Sequence, residues 1–261
     1  MDYLVFRLYG ALASWGEIAV GESRHTASYP SKSAIIGLLG AALGIKREDE
    51  MAQQQLQQGY AVAVEVYSTG QLLRDYHTTQ APDSVGKFNY RTRRDELVLG
   101  RQRLGTILSS REYRADALAL VAVKALEGAP FSLTEIEQHL LSPKYHLYLG
   151  RKSCPLSAPL NPQVVGNVAN YYQAFQAYQH KPILPSRKDS QGQISERDFI
   201  WLGHPKDRHY YWEGTAEDFS VDSILDLTRR QTRIRHDQPL SRQRWQFSPR
   251  QEHYLFVQGG E

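Results

Sequence analysis

One cysteine in 261 residues, Cys154, leaves no internal disulfide to form and too little thiolate for a sulfur-ligated metal centre. A reducing compartment suits such a chain. No run of eighteen apolar residues occurs. The opening MDYLVFRLYG sets Asp2 and Arg7 around a short apolar stretch, unlike a secretory signal or a membrane span. A cytoplasmic protein without a membrane role is therefore expected. Net charge is nearly absent too, with 31 Lys and Arg against 28 Asp and Glu. Any anionic partner must be sought in where the charges lie. The nine histidines form no HExxH, no CxxC and no two-His-one-carboxylate spacing, so neither metal nor cofactor is expected. No fixed-period repeat is present.

What remains is an ordinary globular composition, 41% hydrophobic, organised by clear periodicities. Tyr3–Tyr9 and Tyr60–Ser68 alternate as strands, QLLRDYHTT continues as another, and ALALVAV (117–123) is a buried strand. Ser33–Leu43 and Glu48–Gln58 read as helices, and the capping box Ser132-x-x-Glu135 opens a third that Pro143 stops. Ala11–Pro30 shows no period and reads as loop, and Lys181–Gly192 as an exposed loop. Farther on, a helix over Val164–His180 and strands at Tyr210–Trp212, Asp226–Ile234 and Tyr254–Gln258 are expected. The order strand, helix, strand, strand, strand, helix matches the α+β split βαβ, or ferredoxin-like, pattern with a long insertion.

Five stretches could carry chemistry. Ser31, Lys32 and Ser33 open the first helix, where unpaired N–H groups and the helix dipole suit a phosphate. A plain serine cap with a solvated lysine fits equally well. No glycines precede the Lys-Ser pair, so this is not a Walker loop; Gly37 and Gly40 read instead as a close-packing face against a sheet. Between 87 and 114 lie Lys87, Arg91, Arg93, Arg94, Arg101, Arg103, Arg111 and Arg114, opposed by Asp95, Glu96 and Glu112 and interleaved with Phe88, Tyr90 and Tyr113. Arginine beside aromatics suits single-stranded nucleic acid, pairing with phosphates while rings stack on bases. A solvated loop is the alternative. Arg229, Arg230, Arg233, Arg235, Arg242, Arg244 and Arg250 form a second basic cluster, either an RNA track or a protein contact. YLGRKSCPL (148–156) sets Arg151 and Lys152 beside Gly150 as a possible anion nest. Tyr76, His77 and Lys32 could supply a metal-free ribonuclease.

The stretches YLVFRLYGALASWG, YPSKSAIIGLLGAALGI, LRDYHT, SREYR and SPKYHLYLGRKSCPL run in one order over about the first 160 residues. Together they resemble the CasD family, the subunit that binds the 5′ handle of crRNA in the type I-E CRISPR complex Cascade. The resemblance implies an RRM-like domain over 1–160 with an inserted β-hairpin thumb over about 76–113; the residues of 161–261 read as a small, mainly β region, a helix plus short strands, that completes or packs on the first domain. It implies a non-catalytic subunit that caps the backbone filament. Its partners would be the crRNA handle, the adjacent backbone subunit, the large PAM-reading subunit and, in the assembled complex, target DNA. Arg24, Ser31, Lys32, Ser33, Arg74, Arg111, Arg151 and Lys152 become expected handle contacts, beside Tyr76, His77, Tyr113 and the thumb cations. Trp15 becomes a core anchor or a stacking platform. The alternative is a repeat-cutting, metal-independent endoribonuclease, as in type I-C systems.

Overall fold

Alternating β-forming residues over Tyr3–Ala13 make one long strand, β1, and three two-residue strands follow it: β2 (Trp15–Gly16), β3 (Ser23–Arg24) and β4 (Thr26–Ala27). The segment expected to be loop thus carries short pairings that no sequence period announces. Helix α1 (Lys32–Leu43) starts where the Ser31 hydroxyl accepts from the Ala34 N–H. It ends at Gly44, held left-handed at φ 78°, with the Ile45 N–H returning to the Gly40 carbonyl. Helix α2 (Glu50–Gly59) is capped by Asp49. A Cβ on Gly40 would lie 3.4 Å from Leu56 of α2. Gly40 therefore faces α2 and not the expected sheet, with room for ordinary contact.

The chain continues through β5 (Tyr60–Ser68), β6 (Gln71–Pro82), the short helix α3 (Arg93–Val98) and β7 (Leu104–Ala125). Helix α4 (Leu133–Leu141) carries the predicted capping box, and β8 (Gln163–Val165) and α5 (Tyr171–Ala177) follow. The single helix expected over Val164–His180 is in fact this strand and this shorter helix, because Asn170 caps α5 only at that point. Strands β9 (Arg187–Lys188) and β10 (Ile194–Ser195) pair with each other. The tail supplies β11 (Arg208–Trp212), α6 (Ala216–Phe219), β12 (Gln231–Ser241) and β13 (Gln246–Val257). The expected strand from Asp226 starts late, because the Asp226 carboxylate folds back on the Thr228 N–H and makes a 3-10 turn.

This architecture is a computed structural model that describes residues 1–17, 19, 21–83, 89–98, 101–184, 187–188, 194–195, 207–220, 225–241, 244 and 246–259. Lys87, Phe88, Arg242 and much of the 181–192 loop lie outside the described residues. The main sheet runs β12-β13-β11-β5-β7-β1-β8, all antiparallel, so the C-terminal strands extend the sheet next to β5. One face buries Leu4, Phe6, Val64 and Val121 against α1 and α4. The other buries Tyr3, Ala63, Leu120 and Trp212 against α5 and Phe219. At about 1.5–3 kcal/mol per fully buried large side chain, both layers hold the sheet rigid. Trp15, 5% exposed, belongs to the first core and is not a stacking platform.

From this body β6 and the first half of β7 project as an antiparallel hairpin, paired from Gln71↔Ala115 to Pro82↔Leu104. Gly70 turns the chain into it at φ 66°, with the Ala115 carbonyl 2.4 Å from where a Cβ would sit. No other residue fits there.

Candidate nucleic-acid interface

Strand alternation sorts the base of the hairpin into two faces. Strand β3 lies along the free edge of β7 in parallel, Ser23 opposite Ser110 and Arg24 opposite Arg111. Arg24 and Arg111 therefore share one face with Tyr113, Asp75 and His77. His25, Arg74, Glu112 and Arg114 share the other.

The second face holds the assembly together. Glu112 is buried, and its carboxylate accepts from Arg74 at 3.2 and 2.7 Å, from the Thr26 N–H at 3.3 Å, and from His25 at 3.2 Å. The Arg74 hydrogen bond, chiefly, holds the Glu112 carboxyl below its ordinary pKa. The Ser14 hydroxyl donates to the Glu112 carbonyl, and the Trp15 N–H donates to the Thr26 hydroxyl. Hairpin, β3–β4 segment and the end of β1 are thereby pinned at one point.

The first face is cationic. Arg151 reaches it from the 148–155 turn, where the Leu149 N–H meets the Cys154 carbonyl and Gly150 sits at φ 83°. A Cβ on Gly150 would fall 1.9 Å from the Ser14 carbonyl oxygen, so only glycine lets this turn close on the end of β1. The Arg151 guanidinium lies over the Tyr113 ring, 5.0 Å from its centroid, and its Nη2 donates to the Arg24 carbonyl at 3.4 Å. Its Nη1 is buried with no hydrogen-bond partner, as is the Nε of Arg114 on the opposite face. A buried, unserved guanidinium donor is costly and asks for an acceptor. Lys152, beside Arg151, is exposed.

Other expected contacts fall elsewhere. Arg91, Arg93, Arg94, Arg101 and Arg103 are exposed around the hairpin tip, with Arg93 paired to Glu96 and to the Gln80 carbonyl. Tyr113 is 9% exposed and packs in the core, so it is not the exposed stacking ring expected. Lys32 is neither solvated nor open to a phosphate. Its ammonium is buried 3.0 Å from Glu213, and its N–H donates to Asp237. The chain's own carboxylate thus meets the first turn of α1, while Ser31 caps the helix and shares a hydrogen bond with Ser33. Tyr76 and His77 point to opposite faces of β6, and His77 sits 3.2 Å from Asp75. The triad of Tyr76, His77 and Lys32 is not assembled.

Nor do the C-terminal arginines form one track. Arg250 is buried between Asp237, at 2.6 and 2.9 Å, and Glu252, at 2.6 Å, with Glu213 at 3.5 Å. Tyr29 donates to Glu252 and stacks on Tyr211, and Arg235 pairs with Glu17. Arg233 lies over the Tyr254 ring, and Arg229 pairs with Asp226. Cys154 is buried, which pushes its thiol pKa up and suits a packed hydrophobe. Among the described residues no three His, Cys, Asp or Glu side chains are grouped to share a metal ion, and no helix is long and apolar enough to cross a membrane.

In the sequence Glu112 is only an opposing charge among arginines, and His25 belongs to no motif. Alternation was the usable signal, because Arg74 and Glu112 fall opposite each other once the hairpin register is set.

Comparison with known proteins places this geometry. The model of the CRISPR-associated protein family Cas_Cas5 matches residues 3–252. Over 169 residues the chain is 37% identical to the CRISPR system Cascade subunit CasD of Escherichia coli (strain K12), spanning 61% of this chain and 69% of that one. A solved structure described as a CRISPR RNA-guided surveillance complex superposes with a TM-score of 0.62 at 23% identity, over 98% of this chain and 90% of the other. A second, a crystal structure of a Cas protein, gives 0.58 at 24% identity over 98% and 95%.

Proposed function

The chain belongs to the CRISPR-associated Cas5 family, and on that premise we propose that it is a non-catalytic RNA-gripping subunit of a type I-E Cascade surveillance complex. It holds the 5′ handle of crRNA and caps the backbone filament. Its neighbours are the adjacent backbone subunit and the large PAM-reading subunit, with target DNA in the assembled particle. The name of its Escherichia coli relative, a Cascade subunit, supports the assembly. The fold supports a ferredoxin-like reading: β5-β7-β1-β8 is a split βαβ order, with α1 and α2 joining β1 to β5 and α4 joining β7 to β8.

One observation carries the RNA grip. Arg24 and Arg111 share one face of the hairpin base, Arg151 reaches that face over Tyr113, and one buried guanidinium donor of Arg151 lacks any partner. RNA phosphates supply such acceptors in series. An RRM stacks bases on its open sheet face. Here that face is covered by Tyr171, Phe175 and Phe219, so the hairpin and its flanking turns must take over. The hairpin also exposes Leu72, Leu73, Tyr76, Ile107 and Leu108, a surface for splayed bases or a neighbouring subunit.

Cleavage is not favoured, because Tyr76 and His77 diverge and Lys32 is tied to Glu213. Incubating the purified protein with CRISPR repeat RNA in EDTA tests both points. Retention of intact RNA, lost when Arg24 and Arg111 are changed to serine, is expected. Defined cleavage abolished by His77→Ala would overturn the reading.

A further inference from the structure

The C-terminal strands carry an open surface of their own. His209 lies opposite Phe256, Tyr211 opposite Tyr254, and Gln231 opposite Tyr254, so these side chains share one face of β11, β13 and β12. It is the face that α1 covers farther in, since Val64 lies opposite Tyr211 and both pack in the core that α1 closes. The helices stop short of the start of β12. Helix α1 meets that strand at Asp237 and α2 meets it at Ser241. Gln231 and Arg233 are left exposed, and Phe256 is 42% exposed. Through His209 and Val66, Phe256 stands in the row of Ala119. Arg111 is eight residues along β7 from there, roughly 26 Å at the rise of a strand. The surface is therefore a separate place from the hairpin base.

Its side chains form a layered stack. The Tyr254 ring lies 5.0 Å from that of Tyr211, and the Arg233 guanidinium lies over Tyr254, 4.4 Å from its centroid. Arg233 Nη2 donates to the Gln231 side-chain oxygen at 2.7 Å, which fixes the guanidinium plane. Among the described residues no carboxylate forms an ion pair with Arg233. Alongside, the His209 ring lies 5.0 Å from that of Phe256 and its Nδ1 is 2.9 Å from the Tyr254 hydroxyl. Burial lowers the His209 pKa, so its imidazole is neutral near pH 7 and does not repel Arg233.

An exposed ring beside a guanidinium held flat on another ring offers what an unpaired nucleotide needs: faces on which a base stacks and donors for a phosphate. A stable protein neighbour would bury on the order of 800 Å² on this side, far more than one ring and one guanidinium present, whereas a single base is covered by them.

We propose that Phe256 and Arg233 form a second contact for single-stranded nucleic acid, stacking one base and pairing with its phosphate, independent of the hairpin grip. A stretch of guide RNA and an unwound DNA strand share this chemistry.

The test uses the full chain carrying Arg24→Ser, Arg111→Ser and Arg151→Ser, with labelled oligouridylate and oligothymidylate as probes in fluorescence anisotropy at low salt. Both single strands are retained. Adding Phe256→Leu weakens binding about tenfold without changing the salt dependence, the mark of a lost stack. Adding Arg233→Ser instead removes about 0.7 from the slope of log affinity against log salt. Both side chains are exposed, so both variants keep the parent's unfolding midpoint. Tighter binding of oligouridylate assigns the contact to RNA, and tighter binding of oligothymidylate assigns it to DNA; either supports the proposal. No binding of either strand, binding indifferent to both added substitutions, or a duplex of equal length held as tightly would each overturn it. Because the hairpin arginines are already removed, failure of the hairpin grip cannot be mistaken for failure of this contact.

Discussion

Arg74 places two guanidinium nitrogens on a single oxygen of Glu112, across the two strands of the hairpin base. The other oxygen of that carboxylate receives His25 and the Thr26 N–H from the segment on the far edge of β7. A buried acid thus joins three stretches of chain that present cations around it.

Changing Glu112 to alanine leaves the Thr26 N–H and Arg74 without this acceptor. A loss of about 1–2 kcal/mol is expected, modest because Arg74 is largely solvated. Since the Glu112 carboxyl titrates below 4.5, its contribution is full above that pH and fades as pH falls through its folded-state value. Denaturant titrations of wild type and variant should converge in acid. Parallel pH profiles would refute the assignment.

Glu65 gives the opposite sign. Burial raises its carboxyl to about 7, opposed by Arg208 and Tyr210. The folded state then holds a proton that the unfolded state releases above 4.5, so stability falls as pH rises from about 4.5 to 7. Glu65→Gln should flatten that limb of the unfolding-midpoint profile. An unchanged slope would mean that another group titrates there.

Arg250 neutralises Asp237 and Glu252 beside Glu213, within a buried network. Arg250→Ala strands buried carboxylates and should cost about 3–5 kcal/mol in chemical denaturation. A cost below about 1 kcal/mol would place Arg250 among solvated surface cations.

These networks mark the limit of what the sequence could say. Strong local signals survived folding: the α1 and α4 caps, the alternation of β5, and the basic insertion that became the hairpin. What escaped depended on residues distant in sequence. Glu213 and Asp237 claim Lys32 and the first turn of α1 from more than 180 positions away, and no local pattern announces such a partner. Tyr113 reads as a stacking ring for the same reason, since the residues that bury it, Arg151 of the 148–155 turn among them, are distant in sequence. The short strands of 15–27 lack the length to show a period. The mainly β tail was legible only as fragments.

Gly150→Ala should separate the turn from the end of β1, since a Cβ collides with the Ser14 carbonyl at a left-handed φ. Stability should drop by more than about 2 kcal/mol. RNA affinity should fall as Arg151 moves off Tyr113. Retained stability with the Arg151–Tyr113 contact intact would contradict this role for the glycine.

Handle-RNA affinity measured across a salt series, for the wild-type chain and for Arg24→Ser, Arg111→Ser, Arg151→Ser combined, bears most directly on the grip. Log affinity should fall with log salt, at a slope of about −0.7 for each phosphate neutralised on a single strand, and the triple variant should lose about 2 from that slope while staying folded. An unaltered slope in a folded triple variant would show that the hairpin base does not hold the RNA.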